Sequence, residues 1–269
     1  MLFSVITINY NNREGLRKTI ESVKGQSFDD YEYIIIDGGS LDGSKDILME
    51  NDSYISYWVS EKDDGIYHAM NKGVANARGS YCIFMNSGDC FYSRDVLERV
   101  AAMDVKDDIL VGDVVSNIDG KVIPTKSNRE LSLYHLFSAS IPHQASFIRT
   151  ELLKKYPYDE TLRITSDWKF FLQTIIFDNC SFKYVDVIVA EYDSEGISSH
   201  NPEEMFLEKE KVLSVMIPHR ILLDYKMMKS SECQTQLLTP QLRNKYHIDR
   251  FLFKLGSFLL KLQRWCTNK

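Results

Sequence analysis

The sequence has no Gly-x-Gly-x-x-Gly after its first apolar run, no Gly-Lys-Ser or Gly-Lys-Thr loop and no Gly-x-Ser-x-Gly. These absences argue against a dinucleotide enzyme, a phosphate-loop NTPase and the nucleophile elbow of a serine hydrolase. Cysteine is sparse. The five present, Cys82, Cys90, Cys180, Cys233 and Cys266, are odd in number and no two lie two or three residues apart. Neither a disulfide framework nor a zinc site is suggested, and a reducing compartment fits. No apolar run reaches the length of a membrane span, about 20 residues. No basic leader precedes the first strand pattern, so no signal peptide is expected. Internal repeats and low-complexity stretches are missing too. An excess of positive charge is also lacking: the net charge is −6, which argues against a nucleic-acid-binding body.

What is present is an ordinary globular composition, 44% hydrophobic and 26% charged over 269 residues. That length suits one large or two small domains with a sizeable core. Residues 2–8 form an apolar, β-rich run that ends in Asn9-Tyr10-Asn11-Asn12, and Leu16, Ile20 and Val23 follow at helical spacing. Residues 33–36 end in Asp37-Gly38-Gly39-Ser40-Leu41-Asp42-Gly43-Ser44, and a helix through Ile47 and Leu48 is expected next. Residues 55–59 lead to Glu61-Lys62-Asp63-Asp64-Gly65 and a helix through Ile66, Met70, Val74 and Ala77. Residues 81–85 stop at Asn86-Ser87-Gly88 and leave Asp89 just past the strand end. This alternation predicts an α/β fold with a mostly parallel sheet flanked by helices. Farther on, helices are expected near 96–102, 131–137 and from Trp168, strands at 109–115, 145–148 and 182–190, a hairpin about Asp119-Gly120, and helices beyond Pro202.

In open α/β sheets, ligands bind beyond the carboxyl ends of the strands. Asp37, Asp42, Asp63, Asp64, Asp89, Asp113 and Asp167 all stand at strand or helix ends. Singly, each is an ordinary cap or turn residue. Together on a βαβ scaffold they suggest a nucleotide-diphosphate site with a metal, because a carboxylate can hold a divalent cation and the cation a diphosphate.

Four stretches resemble, in order and spacing, the family-2 inverting glycosyltransferases of GT-A (Rossmann-like) fold. They are Thr7-Ile8-Asn9-Tyr10-Asn11, the run from Ile36 to Ser44, Gly65-Ile66-Tyr67 with Ala69-Met70-Asn71-Lys72-Gly73, and Met85-Asn86-Ser87-Gly88-Asp89. Pro142-His143-Gln144 and Ser166-Asp167-Trp168 resemble acceptor-side motifs of the bacterial surface-polysaccharide branch. The resemblance covers roughly residues 1–190. It implies transfer of a hexosyl or N-acetylhexosaminyl group from a nucleotide sugar, UDP-linked, to a glycan or lipid-linked glycan, with Mn²⁺ or Mg²⁺ as cofactor. It also implies roles. Tyr10 matches the aromatic that stacks on uracil, and Thr7, Asn9, Asp64, Asn71 and Asn86 would line the nucleotide-sugar pocket. Asp37 matches an acid that contacts the uridine; the family often has two acids there, and Gly38 replaces the second. Asp89 matches the last acid of the Asp-x-Asp metal motif, in which Asn86 and Gly88 stand where acids are common. Asp167 matches the catalytic base. His143, Gln144 and Trp168 fall to acceptor binding.

The expected organisation is a GT-A domain over 1–200, divided into a nucleotide-sugar half (1–90) and an acceptor half (91–200), then a helical region over 201–269. From Arg243 onward seven Lys or Arg face one acid, Asp249, a tail of +6 that leaves −12 for the rest. Phe251, Leu255, Phe258, Leu262 and Trp265 form a helical stripe beside Arg250, Lys254, Lys261 and Arg264. The pattern fits a basic amphipathic helix on an anionic membrane surface, and equally a helix packed on the body with a solvated rim. The resemblance favours the former and implies a cytoplasmic protein, peripheral on the inner face of the cell membrane. Two rivals stay open: a nucleotidyltransferase, which needs more cations near the first loop than Arg13, and a catalytically impaired nucleotide-sugar-binding or scaffold protein, suggested by Asn86 and Gly88.

Overall fold

A computed structural model describes residues 1–103, 106–118, 121–192 and 201–228. The first part alternates as the sequence pattern predicts: β1 (Phe3–Asn9), α1 (Arg13–Lys24), β2 (Tyr31–Asp37), α2 (Ser44–Glu50), β3 (Tyr57–Ser60), α3 (Ile66–Asn76) and β4 (Tyr81–Phe84). These strands pair in parallel in the order β3-β2-β1-β4. The chain therefore winds outward from β1 to β3 and then returns past β1 to β4. The reversal opens a crevice between the carboxyl ends of β1 and β4, the usual ligand position in such sheets.

The remainder is mixed. It comprises β5 (Cys90–Phe91), α4 (Val96–Ala101), β6 (Ile109–Ile118), β7 (Lys121–Thr125), α5 (Leu133–Ser138), a 3-10 turn (His143–Ala145), β8 (Ser146–Arg149), α6 (Thr150–Lys155), α7 (Ser166–Phe171), a π-helical continuation (Leu172–Phe177) and β9 (Phe182–Tyr192). Among the described residues, nine strands make one sheet in the order β3-β2-β1-β4-β8-β6-β9-β5, with β7 on β6. β8 is antiparallel to both β4 and β6. Its start consequently lies beside the end of β4, and the preceding 3-10 turn packs against β4. The expected strand at 145–148 thus becomes the device that carries His143 to the crevice.

Side-chain alternation places Phe3, Val5, Tyr33, Ile35, Tyr81 and Ile83 in one buried layer with Leu16, Ile20 and Val23 of α1 and Val96 and Leu97 of α4. Ile6, Ile34, Ile36 and Phe84 are buried on the other face. There α3 lies so close to β1 that a Cβ on Gly73 would sit 2.5 Å from Cγ2 of Ile6. Met1–Val212 forms one compact unit and a second begins at Leu213. Helices cover Pro202–Met216 and 219–228, as expected beyond Pro202. The basic amphipathic stripe at 250–265 and the turn 119–120 lie outside the described residues, although β6 and β7 do pair antiparallel. No described helix is long and apolar enough to cross a membrane.

Far from the crevice, Glu32 is buried at the amino end of the sheet. It accepts from Ser4 Oγ (2.6 Å), the Arg78 and Gly79 backbone amides (2.5 and 3.1 Å) and Arg78 Nε (3.1 Å). Arg78 therefore braces the fold there and does not line the crevice. Burial pushes the Glu32 carboxyl up, but these donors outweigh it and hold the group below its ordinary value of 4.5. Its stabilising contribution is thus present above that value and lost as pH falls through the lower, folded-state value. Glu32→Ala should destabilise the fold by about 2–4 kcal/mol at neutral pH, and the gap to the wild type should narrow in acid, as read by urea denaturation.

Candidate active site

Strand register builds the first wall. Asn9, Asp37 and Ser60 are direct neighbours across the ends of β1, β2 and β3. Asp37 is fully buried and both its oxygens are occupied. Oδ1 accepts from Asn9 Nδ2 (2.7 Å) and Ser40 Oγ (2.5 Å), and Oδ2 from the Ser40 amide (3.0 Å) and Ser60 Oγ (2.6 Å). Asn9 Oδ1 in turn accepts from Ser87 Oγ at 2.7 Å, which spans the crevice from β1 to the turn after β4. Tyr10, next along, is 69% exposed.

The turn after β4 is held from beneath by Thr19 of α1. Its hydroxyl accepts from the Gly88 amide (3.0 Å) and faces the Asp89 carbonyl at 2.8 Å as donor. Gly88 has φ of +106°, the left-handed region where a side chain is strained. The Asp89 carboxylate is thereby placed just past the strand end, 4% exposed. On the same turn Asn86 Oδ1 is buried and has no hydrogen-bond partner among the described residues.

The opposite wall centres on Asp167, at the start of α7. Tyr67 of α3 donates to its Oδ1 at 2.9 Å, and His143 Nδ1 faces Oδ2 at 3.4 Å. On its other side His143 Nε2 meets Asn86 Nδ2 at 3.2 Å. With the ring proton on Nδ1, the imidazole gives to Asp167 and accepts from Asn86. Burial disfavours the charged forms of both Asp167 and His143. Their mutual contact and charge prevail: Asp167 is held below its ordinary value and His143 above its own. Burial and the adjacent carboxylate push the Tyr67 phenol far up, so it remains a donor. The approach to α7 is pinned by Glu208, whose carboxylate accepts from the Arg163, Ile164 and Thr165 amides and the Thr165 hydroxyl.

The structure thus brings Asn86, His143 and Asp167 into one hydrogen-bonded or ion-paired chain, with Asp89 near enough to favour the charged imidazole. Asn9 and Tyr10 stand on the facing wall, and Gln144 shares the His143 turn. Other expected ligand contacts are engaged elsewhere. Thr7 is buried, donating to the Met85 carbonyl and bonded to Tyr33. Asp37 has no acceptor position left, since a carboxylate offers about four. Asn71 holds the Tyr158 backbone from both sides and Glu160 besides. Trp168 is 1% exposed and gives its indole N–H to the Leu136 carbonyl, so it supports the wall around Asp167 from behind. Asp64 is exposed at the entrance to α3, its backbone amide donated to His68. Tyr67 and Glu208 were not expected. Tyr67 stood within a quoted motif, but nothing in the chain pattern marks Glu208.

The His143–Asp167 pair makes stability pH-dependent. The His143 contribution is full below its ordinary value of 6.5 and is lost as pH rises through the higher folded-state value. The Asp167 contribution is full above 3.8 and is lost as pH falls through its lower folded-state value. The stability difference between wild type and His143→Gln should therefore be largest between those limits and shrink in alkali. Urea denaturation curves across that range check it.

Comparison with known proteins bears on this arrangement. Residues 4–176 match the family model described as Glycosyl transferase family 2. The chain is 34% identical over 217 residues to a Mycobacterium tuberculosis protein named an uncharacterized glycosyltransferase, covering 76% of this chain and 79% of that one. It is 30% identical to a PGL/p-HBAD biosynthesis glycosyltransferase of Mycobacterium bovis, covering 77% and 83%. Among solved structures, S. aureus TarS 1-349 in complex with UDP-GlcNAc aligns with a TM-score of 0.65 at 20% identity, over 80% of this chain and 66% of that one. The last likeness shows the fold, which is that of the GT-A enzymes. Family match and sequence relatives together make this chain a member of glycosyltransferase family 2.

Proposed function

We propose that the chain is an inverting glycosyltransferase that moves a hexosyl or N-acetylhexosaminyl group from a UDP-sugar to a glycan or lipid-linked glycan in bacterial surface polysaccharide or glycolipid synthesis. The observation that carries this reading is the half-buried carboxylate of Asp167, held by Tyr67 and His143 beside the turn that bears Asn86 and Asp89. One base is sufficient for a single displacement. Asp167 takes the proton from an acceptor hydroxyl as that oxygen attacks the anomeric carbon from the face opposite the nucleotide. Tyr67 and His143 fix the carboxylate in that orientation. Tyr10 offers the exposed aromatic face for the base, and Gln144, on the same 3-10 turn as His143, is assigned to an acceptor hydroxyl. The glycolipid-biosynthesis relative and the UDP-GlcNAc-bound neighbour support the donor and acceptor classes. The complete base assembly favours an active enzyme over an impaired binding protein.

A divalent cation, Mn²⁺ or Mg²⁺, suits the turn after β4. The Asp89 carboxylate and the partnerless Asn86 Oδ1 are both hard oxygen donors. Bound there, the cation would neutralise charge on the departing diphosphate. Among the described residues no cluster of three His, Cys, Asp or Glu can hold a metal alone, so the residues hold it weakly without the donor's phosphates. The basic stripe at 250–264 supports peripheral attachment to the inner face of the cell membrane.

The direct test is UDP release from a panel of UDP-sugars with Mn²⁺, with and without glycan acceptors. Asp167→Asn should keep UDP binding and lose transfer by about two to four orders of magnitude; survival within a few-fold would move the base elsewhere. Asp89→Asn should abolish Mn²⁺-dependent UDP binding, read by calorimetry, while leaving the melting curve in place. Removal of residues 247–269 should release the protein from anionic vesicles in a co-sedimentation assay and leave small soluble acceptors glycosylated.

A further inference from the structure

The nucleotide wall holds an acid with an open oxygen. Asp63, in the loop between β3 and α3, is 8% exposed on its side chain. Its Oδ1 accepts from Lys72 Nζ at 2.8 Å and is faced by His68 Nδ1 at 3.5 Å. Its Oδ2 accepts no hydrogen bond among the described residues. A Cβ built on Gly38 would lie 3.3 Å from that oxygen and 3.1 Å from Cδ2 of Tyr10. The space that a side chain at 38 would enter is therefore bordered by an exposed aromatic ring and a carboxylate oxygen with free lone pairs.

The loop reaches this place for local reasons. Glu61 donates its amide to the Asp37 carbonyl at 3.0 Å, which continues the β2–β3 ladder past its end. Gly39 has φ of +78°, and a Cβ there would stand 3.2 Å from the Lys62 amide nitrogen. Only glycine allows both the conformation and the close approach. Lys72 then spans Glu61 (2.6 Å) and Asp63, which fixes the Asp63 rotamer.

We propose that Asp63 is the carboxylate that reads the nucleobase, standing in space for the acid that Gly38 lacks, and that it selects uracil over cytosine. This deepens the donor reading above and rests on it. Asp37 cannot do the work, because its four acceptor positions are filled from within the protein. Uracil presents an N3–H donor in its plane, which a carboxylate accepts. Cytosine presents a bare N3 lone pair, which a carboxylate repels. A site built to hydrogen-bond one group discriminates strongly against an analogue that lacks it, since its buried polar atom is left unpaired.

The test is calorimetric titration of UDP and CDP, with Mn²⁺ present throughout, into wild type, Asp63→Asn and Asp63→Ala. Wild type should prefer UDP by about tenfold or more. Asp63→Asn should lose that preference, because its amide can donate to the cytosine N3. Gly38→Asp placed in the Asp63→Ala chain, where the space is clear, should restore it. If Asp63 merely braces Lys72, Asp63→Asn would weaken UDP and CDP alike and leave their ratio unchanged, which overturns the inference while the donor reading stands. Folded wild-type protein that binds neither nucleotide would overturn the donor reading and the inference together.

Discussion

The wall of the crevice formed by the ends of β1, β2 and β3 depends on one buried anion. The Asp37 carboxylate is taken wholly out of water, which is unfavourable unless donors replace the lost hydration. Four do so, and they come from three places: Asn9 on β1, Ser60 on β3 and two groups of Ser40 in the loop after β2. The parallel register makes this possible by setting Asn9, Asp37 and Ser60 side by side. The same bonds fix what is beyond them. Ser40 Oγ also accepts the Asn11 amide, so the chain around Tyr10 is held. Asn9 is oriented so that its oxygen meets Ser87 across the crevice. The position of the turn bearing Asn86 and Asp89 is thereby linked to a carboxylate two strands away.

The wall around Asp167 is built differently. Asp167 has no neighbour in sequence that orients it other than the helix it begins. Its two oxygens are addressed by α3 and by the 3-10 turn before β8, and the peptide units leading to it hang on Glu208. These contacts are distant along the chain and meet only because β8 runs antiparallel beside β4 and α3 covers β1. Such a carboxylate is set by tertiary packing.

That contrast explains what could be read from the chain. The βαβ units of residues 1–84 were legible because local periodicity and turn chemistry agree there, and Asp89, Asn86, His143 and Asp167 stood in short motifs at element ends. The antiparallel insertion of β8 was not legible: a four-residue strand has the same apolar pattern in either direction. Nor was the π-helical stretch after α7, since its side chains keep a helical spacing. Strand ends offered Asp37, Asp63 and Asp64 as equals. Their different fates depend on register and on Gly39, which draws the 61–63 loop inward and leaves Asp64 in solvent. Glu208 could not be found at all, because three of its four partners are backbone amides, which have no signature in sequence.

A carboxylate at a strand end can hold the protein together or hold a ligand, and counting its filled lone pairs separates the two. Asp37 has four donors and nothing to offer. Asp63 has one oxygen tied to Lys72 and the other without a hydrogen bond among the described residues, close to where a side chain at Gly38 would begin. Asp167 lies between these cases: Tyr67 donates to one oxygen, His143 faces the other and the Trp168 backbone amide adds a third contact, which fixes the plane and still leaves acceptor capacity. The motif residues therefore divide by coordination number and not by position in the motif, which is why Asn71 and Trp168, in the midst of motif sequence, serve the scaffold while Tyr67 beside them holds the Asp167 carboxylate.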